Sequence, residues 1–173
     1  MIFDAHHIVS VYWPSLCIVF AAFASLLVCY QDFTTYRISN RVVIAIAVSA
    51  FGVWLPLLSP TAIMIQVGIG AIFLLVGFAA FHFKIMGAGD GKLFAALGFW
   101  CQPQNIMMFL LVMALAGFAV SVAYAGVRYK KIMALRENSN LADMLYLKIP
   151  YGLALSAGGF FLFAKVWVQV VSR

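Results

Sequence analysis

The sequence predicts an all-α, polytopic membrane protein with six transmembrane helices, and three observations carry that expectation. First, hydrophobic residues make up 66% of the chain and charged residues 9%, against about 25% charged in a soluble domain. So few charges cannot cover the surface of a 19.0 kDa globule. Second, the apolar runs approach the ~20 residues that a helix needs to cross a hydrocarbon layer of about 30 Å. Third, the basic residues stand at the ends of those runs, the pattern that sets topology in a bilayer. Sixteen Phe, 7 Tyr and 4 Trp exclude a disordered chain. A length of 173 residues fits one domain, so 1–173 is read as a single transmembrane unit.

Taken in order, the candidate spans are 8–30, 41–58, 61–83, 89–102, 105–127 and 149–170. No Lys or Arg precedes the first, and its apolarity runs past the small-residue stretch Ala22-Phe23-Ala24 to Tyr30. It is therefore expected to be a retained span rather than a cleaved signal. The polar run from Asp32 to Asn40 separates it from the second span. Pro56 and Ser59-Pro60 close the next turn, and the glycine-rich Gly87–Gly91 ends the third span. The fourth segment is short for a crossing unless it begins near Ile85 or neighbouring helices shield its ends. Gln102-Pro103-Gln104-Asn105 makes another tight turn, and 128–148 is the one sizeable loop. Within it, Asn140 with Asp143 three positions on predicts a short capped helix ending before Pro150. Leu141, Met144, Leu145 and Leu147 of that helix suit the bilayer surface, and an ordinary juxtamembrane loop fits the same residues.

Counting Lys and Arg orients the chain. With both termini outside, the inner side receives Arg37, Arg41, Lys84, Lys92, Arg128, Lys130, Lys131, Arg136 and Lys148, and the outer side only Lys165 and Arg173. That is a strong positive-inside bias. The net charge of +6 is thus spread over loop ends and does not form the clustered footprint of a nucleic-acid binder. Cys17, Cys29 and Cys101 lie far apart in apolar runs and give neither a disulfide framework nor a zinc pattern.

Five acids exist: Asp4, Asp32, Asp90, Glu137 and Asp143. Three fall in the outer tail or the inner loop, where water solvates them. Asp32 closes the first segment and Asp90 opens the fourth, which puts both at the inner boundary of the membrane. An ionisable group there is costly unless it faces a partner or a wet cavity. A solvated boundary carboxylate is the plain alternative for either one alone. Two features speak against it. The C-terminal end of a helix disfavours a carboxylate such as Asp32, and the three glycines of Gly87-Ala88-Gly89-Asp90-Gly91 are expensive in a span. A phosphate-cradling loop would want a preceding strand and a GK[ST] pattern, and neither is present. Paired carboxylates at one depth suit hydrolysis of a peptide bond, since one stays protonated while the other takes a proton from water. By their own helix ends, Asp90 is expected to ionise more readily than Asp32.

The run Asp32-Phe33-Thr34-Thr35-Tyr36-Arg37-Ile38-Ser39-Asn40 resembles the Asp-x5-Ile-Pro-Asn signature of type IV prepilin peptidases, with Ser39 where many members have Pro. Gly87-Ala88-Gly89-Asp90-Gly91-Lys92-Leu93, followed by Ala96-Leu97-Gly98, is similar to their GxGD-x-Lys-Leu block, and Ile149-Pro150-Tyr151-Gly152 to the motif opening their last span. The resemblance implies a GxGD-type aspartyl peptidase of the cytoplasmic (inner) membrane. Such an enzyme removes the short basic leader of pilin or pilin-like precursors at the cytoplasmic side. Asp32 and Asp90 would be catalytic, with no metal or other cofactor. Larger family members carry cysteine pairs and also methylate the new amino terminus. No CxxC occurs here, so methyl transfer finds no support. The compact form is similar to the peptidases serving tight-adherence (Flp-type) pili, and archaeal preflagellin peptidases share its size and motifs.

Around the acids, Gly87, Gly89, Lys92 and Asn40 are candidate substrate-binding or supporting residues, with Lys92 equally suited to a snorkelling anchor. Tyr36 and Arg37 suit a leader groove or a solvated turn, and His82 an interfacial position. Gly152, Ser156 and Gly158-Gly159 predict one small-residue face for close helix packing. The alternative of another class is a small proton-coupled transporter with Asp32 and Asp90 as relay. It would want mid-depth polar groups and an internal repeat. Apart from Gln66 and Ser121 few polar groups lie at that depth, and no repeat is visible. A noncatalytic assembly subunit would leave the glycine cluster unexplained.

Overall fold

The computed structural model describes residues 11–134 and 151–172. The outer tail with Asp4, His6 and His7, the capped helix expected at Asn140, and Glu137, Asp143 and Ile149-Pro150 lie outside the described residues. Among the described residues six α-helices follow one another: α1 Trp13–Thr35, α2 Asn40–Leu57, α3 Pro60–His82, α4 Ala88–Gly98, α5 Ile106–Ala134 and α6 Tyr151–Val171. Among the described residues no strand occurs. Five helical stretches among the described residues are long and apolar enough to cross a membrane: Trp13–Thr35, Asn40–Leu57, Pro60–His82, Pro103–Gly126 and Tyr151–Val171.

Two boundaries differ from expectation for local reasons. Helix α1 does not stop at the polar residues but continues through Asp32 to Thr35. Thr34 and Thr35 turn their hydroxyls back onto the carbonyls of Tyr30 and Gln31, both at 2.7 Å, so these polar side chains bond to the helix itself. Tyr36 then ends it in a left-handed conformation (φ 51°), its N–H donating to the Asp32 carbonyl. Helix α5 likewise runs past 128 to Ala134.

The fourth segment departs most. It was expected as a span over 89–102, and its helix has only 11 residues, about 16 Å at 1.5 Å per residue. Beyond Gly98 the chain leaves the helix yet stays inside the protein: Trp100 and Cys101 have no exposure and Gln102 is buried. Non-helical backbone at membrane depth is tolerated where protein groups satisfy it. Here the indole N–H of Trp54 and the side-chain amide of Gln66 both donate to the Phe99 carbonyl, at 2.8 and 3.3 Å. The Trp100 indole donates to the Ile46 carbonyl at 2.8 Å. This stretch follows α6, with Leu97 under Gly159, Trp100 edge-on to Phe163 and the Gln102 amide bonded to Gln169.

Helix α4 is the hub. It packs on α3, α2 and α6, while α1 packs on α2 and α6, and α5 on α6. Gly91 and the whole run from Leu93 to Gly98 are buried. The α3–α4 crossing is tight enough to require glycine on both sides. A Cβ on Gly77 would stand 2.7 Å from the Gly91 carbonyl oxygen, and one on Gly91 would stand 2.9 Å from that of Gly77. Phe73 stacks on Phe94 at 4.6 Å, and Phe109 of α5 wedges against both rings. The single small-residue face expected on α6 is instead shared among neighbours. Gly152 meets Asp32, the Ser156 hydroxyl donates to the Ser25 carbonyl, Gly158 lies under Phe109 and Gly159 under Leu97.

Candidate active site

Asp32 sits in the last turn of α1 and Asp90 in the first turn of α4. The two sequence runs that flank them clasp each other. Ile38 lies where a Cβ on Gly89 would approach it to 3.2 Å, and further along the two runs the Lys92 ammonium donates to the Asn40 side-chain oxygen at 3.0 Å. Asn40 opens α2, and the Gln31 side chain steadies the turn before it by accepting from the Ser39 N–H at 2.9 Å. Lys92 thus has a fixed partner across the two motifs, in a part of the surface open to solvent. His82 is exposed beside the ring of Phe83. Tyr36 turns toward α5, its hydroxyl 3.4 Å from that of Tyr124.

Each carboxylate is held by the N–H of a glycine at a helix start. Asp32 is only 5% exposed, and its Oδ2 accepts from the Gly152 N–H at 2.7 Å. Gly152 is the second residue of α6, so this N–H is one of the four that a helix leaves without an internal partner. A Cβ at that position would stand 2.7 Å from Oδ2 and 2.9 Å from Cγ of Asp32. Only glycine admits the acid so closely. Asp90 is the third residue of α4 and reaches back to the N–H of Gly87, the cap of the same helix. This is half of a capping box. A Cβ on Gly87 would come 2.8 Å from Asp90 Oδ2.

The electrostatics follow from this placement. Like charges on the two acids oppose ionisation of both at once, and the charge of Asp32 acts on Asp90. Asp90 does stand at a helix start, as the ordering by helix ends assumes. For Asp32 the assumption left out a second helix. Its own helix ends there, yet the fold sets the positive end of α6 beside it.

Among the expected residues, Asp32 and Asp90 come near enough for one charge to act on the other, Gly87 lies against Asp90 and Gly89 against Ile38, and Asn40 pairs with Lys92. Gly152 joins them although its sequence reads as a packing residue. The available signal was its place one residue after the first of a helix, where backbone N–H groups are free. Among the described residues no three His, Cys, Asp or Glu side chains come together as metal ligands would.

The family model described as the type IV leader peptidase family matches residues 18–122, well over half of the chain. The chain belongs to that family. The matched stretch contains both aspartates and stops before Gly152. Among curated proteins and among solved structures, none matches.

Proposed function

We propose that this membrane peptidase is an aspartyl endopeptidase that cuts the leader from pilin-type precursors at the cytoplasmic face, with Asp32 and Asp90 as its catalytic dyad. The observation that supports the proposal is that the charge of Asp32 acts on Asp90. The two acids come from distant parts of the chain, and each is held by a glycine N–H.

The roles follow from their surroundings. Asp32, bonded to the Gly152 N–H, is the carboxylate that takes a proton from water. Asp90, its partner in the dyad, supplies the proton. The hydroxide so formed attacks the scissile carbonyl carbon while Asp90 protonates the carbonyl oxygen, giving a neutral gem-diol. The proton held by Asp32 then passes to the departing nitrogen, the C–N bond breaks, and a diol proton returns to Asp90. Acid and amine leave with the dyad restored. The pair titrates as a unit.

The same proposal includes six crossings with both termini outside. Segment 88–105 would cross as helix α4 followed by the buried tail that reaches Gln169 near the far end of α6. The positive-inside count then puts the dyad on the cytoplasmic side. The precursor's apolar helix would lie in the bilayer with its leader junction at the depth of the acids. A proton-relay transporter gains nothing from the mid-depth polar groups, because Gln66 serves the Phe99 carbonyl and Ser121 the Gly117 carbonyl.

The test is co-expression with a pilin precursor, read as a mobility shift. Asp32→Asn and Asp90→Asn should each abolish cleavage with membrane insertion intact. Cleavage surviving either change removes that residue from the mechanism.

A further inference from the structure

We infer that Gln31 is a positioning residue for the dyad. Its side chain ties the start of α2 back to the end of α1, and through Asn40 and Lys92 it sets where α4 carries Asp90 relative to Asp32. This rests on the peptidase reading and adds to it a residue that acts through others.

The turn between α1 and α2 has to be held. Tyr36 is left-handed at φ 51°, a conformation that a residue with a Cβ keeps only where its surroundings impose it. Ser39 caps α2 with extended backbone, φ −69° and ψ 129°, and its hydroxyl makes no cap bond. In a capping box the third helical residue reaches back to the N–H of the cap. Here that residue is Val42, whose side chain has no acceptor. Gln31 supplies the acceptor from the preceding helix, its Oε1 accepting from the Ser39 N–H at 2.9 Å. The bond is partly buried and joins residues 8 positions apart, so it closes the whole turn.

Both ends of this bond lie beside the site. Gln31 directly precedes Asp32, and Ser39 directly precedes Asn40, whose side-chain oxygen accepts from Lys92, two positions after Asp90. Ile38, inside the same turn, lies against Gly89. Two hydrogen bonds and a few covalent steps thus join the end of α1 that carries Asp32 to the start of α4 that carries Asp90. With the Gln31 bond cut, the turn is free to pivot at Tyr36, and the Asn40–Lys92 pair and the Ile38 contact move with it. Two carboxyls share the work of acid and base only while their spacing is kept.

Proline at position 39 isolates this role. It fixes φ at about −65° and has no N–H to satisfy, and Ser39 already has φ −69°. Ser39→Pro therefore holds the turn without Gln31.

The experiment uses full-length protein in vesicles with a pilin precursor, and reads kcat, KM and the pH profile. Gln31→Leu should lower kcat about fivefold, within the factor of roughly two to ten that a neutral hydrogen bond is worth, with KM changed by less than about twofold. Thr34→Ala is the control, since that hydroxyl bonds only within α1, and should stay within about twofold of wild type. Ser39→Pro should also stay within about twofold, and adding Gln31→Leu to it should cost less than about twofold more. The pH optimum of Gln31→Leu should narrow, because weaker coupling brings the two apparent titrations of a pair together. A smaller folded fraction leaves its width unchanged. A Gln31→Leu rate within about twofold of wild type, an unchanged width, or an equal loss from Gln31→Leu in both backgrounds overturns the proposal and leaves the peptidase standing. A loss in Ser39→Pro as large as in Gln31→Leu does the same. Failure of the wild-type chain to cleave the precursor overturns the peptidase reading itself.

Discussion

Replacing Gly152 by Ala probes the link between architecture and chemistry. The new Cβ would stand 2.7 Å from Oδ2 of Asp32, whereas ordinary contact begins at 3.4 Å. The oxygen must therefore move by about 0.7 Å, since the helix backbone carrying the Cβ is the stiffer of the two. That movement stretches the 2.7 Å bond from the Gly152 N–H. A hydrogen bond to a charged group is worth about 1.5–3 kcal/mol, and each 1.36 kcal/mol is a factor of ten in rate. Misplacement of a reacting group by about 1 Å costs on the order of a hundredfold by itself. Gly152→Ala should therefore cleave precursor about 10- to 100-fold more slowly, measured as initial rate in vesicles. Gly126→Ala serves as control, because a Cβ there meets nothing within 4 Å. The variant should insert and melt much like the wild type, since a side chain and not a backbone gives way. A rate within about twofold of wild type would refute the reasoning, as would an equal loss in the Gly126→Ala control.

Further outcomes follow from the same geometry. With one acid protonated and its partner ionised, cleavage should fall on both sides of a pH optimum, followed as initial rate against pH. Gly91→Ala sets a Cβ against the Gly77 carbonyl, which is backbone and cannot swing aside. It should destabilise by about 1–3 kcal/mol, read as a lower Tm, and slow cleavage as α4 shifts. Trp54→Phe combined with Gln66→Leu strips the Phe99 carbonyl of both side-chain donors. The double variant should lose about 1–3 kcal/mol of thermal stability, with Gln66→Leu alone losing less. Asn40→Ala frees the exposed Lys92 and should cost cleavage no more than severalfold.

The apolar runs and their polar breaks made most of the helices legible, because lipid demands length and apolarity locally. Asp32 and Asp90 stood out by elimination, the other acids being placed where water reaches them. What stayed hidden depends on contacts between distant residues. The early end of α4 at Gly98 is stable only because Trp54 and Gln66, on two other helices, satisfy Phe99. The contact of Gly152 with Asp32 joins residues 120 positions apart, and a glycine in an apolar span gives no local sign of which neighbour needs the space. Ordering the two acids by their own helix ends failed to anticipate the start of α6 beside Asp32. The continuation of α1 through Gln31–Thr35 was obscured by side chains that look loop-forming yet bond back to their own helix.

The claim on which the rest depends is that two carboxyls from separate helices act on each other. Infrared titration of the Asp90 carboxyl in wild-type protein and in Asp32→Asn tests it without any substrate. A midpoint that drops once the Asp32 charge is removed is the predicted result. The same midpoint in both proteins would mean that the acids do not sense one another, and would contradict the account.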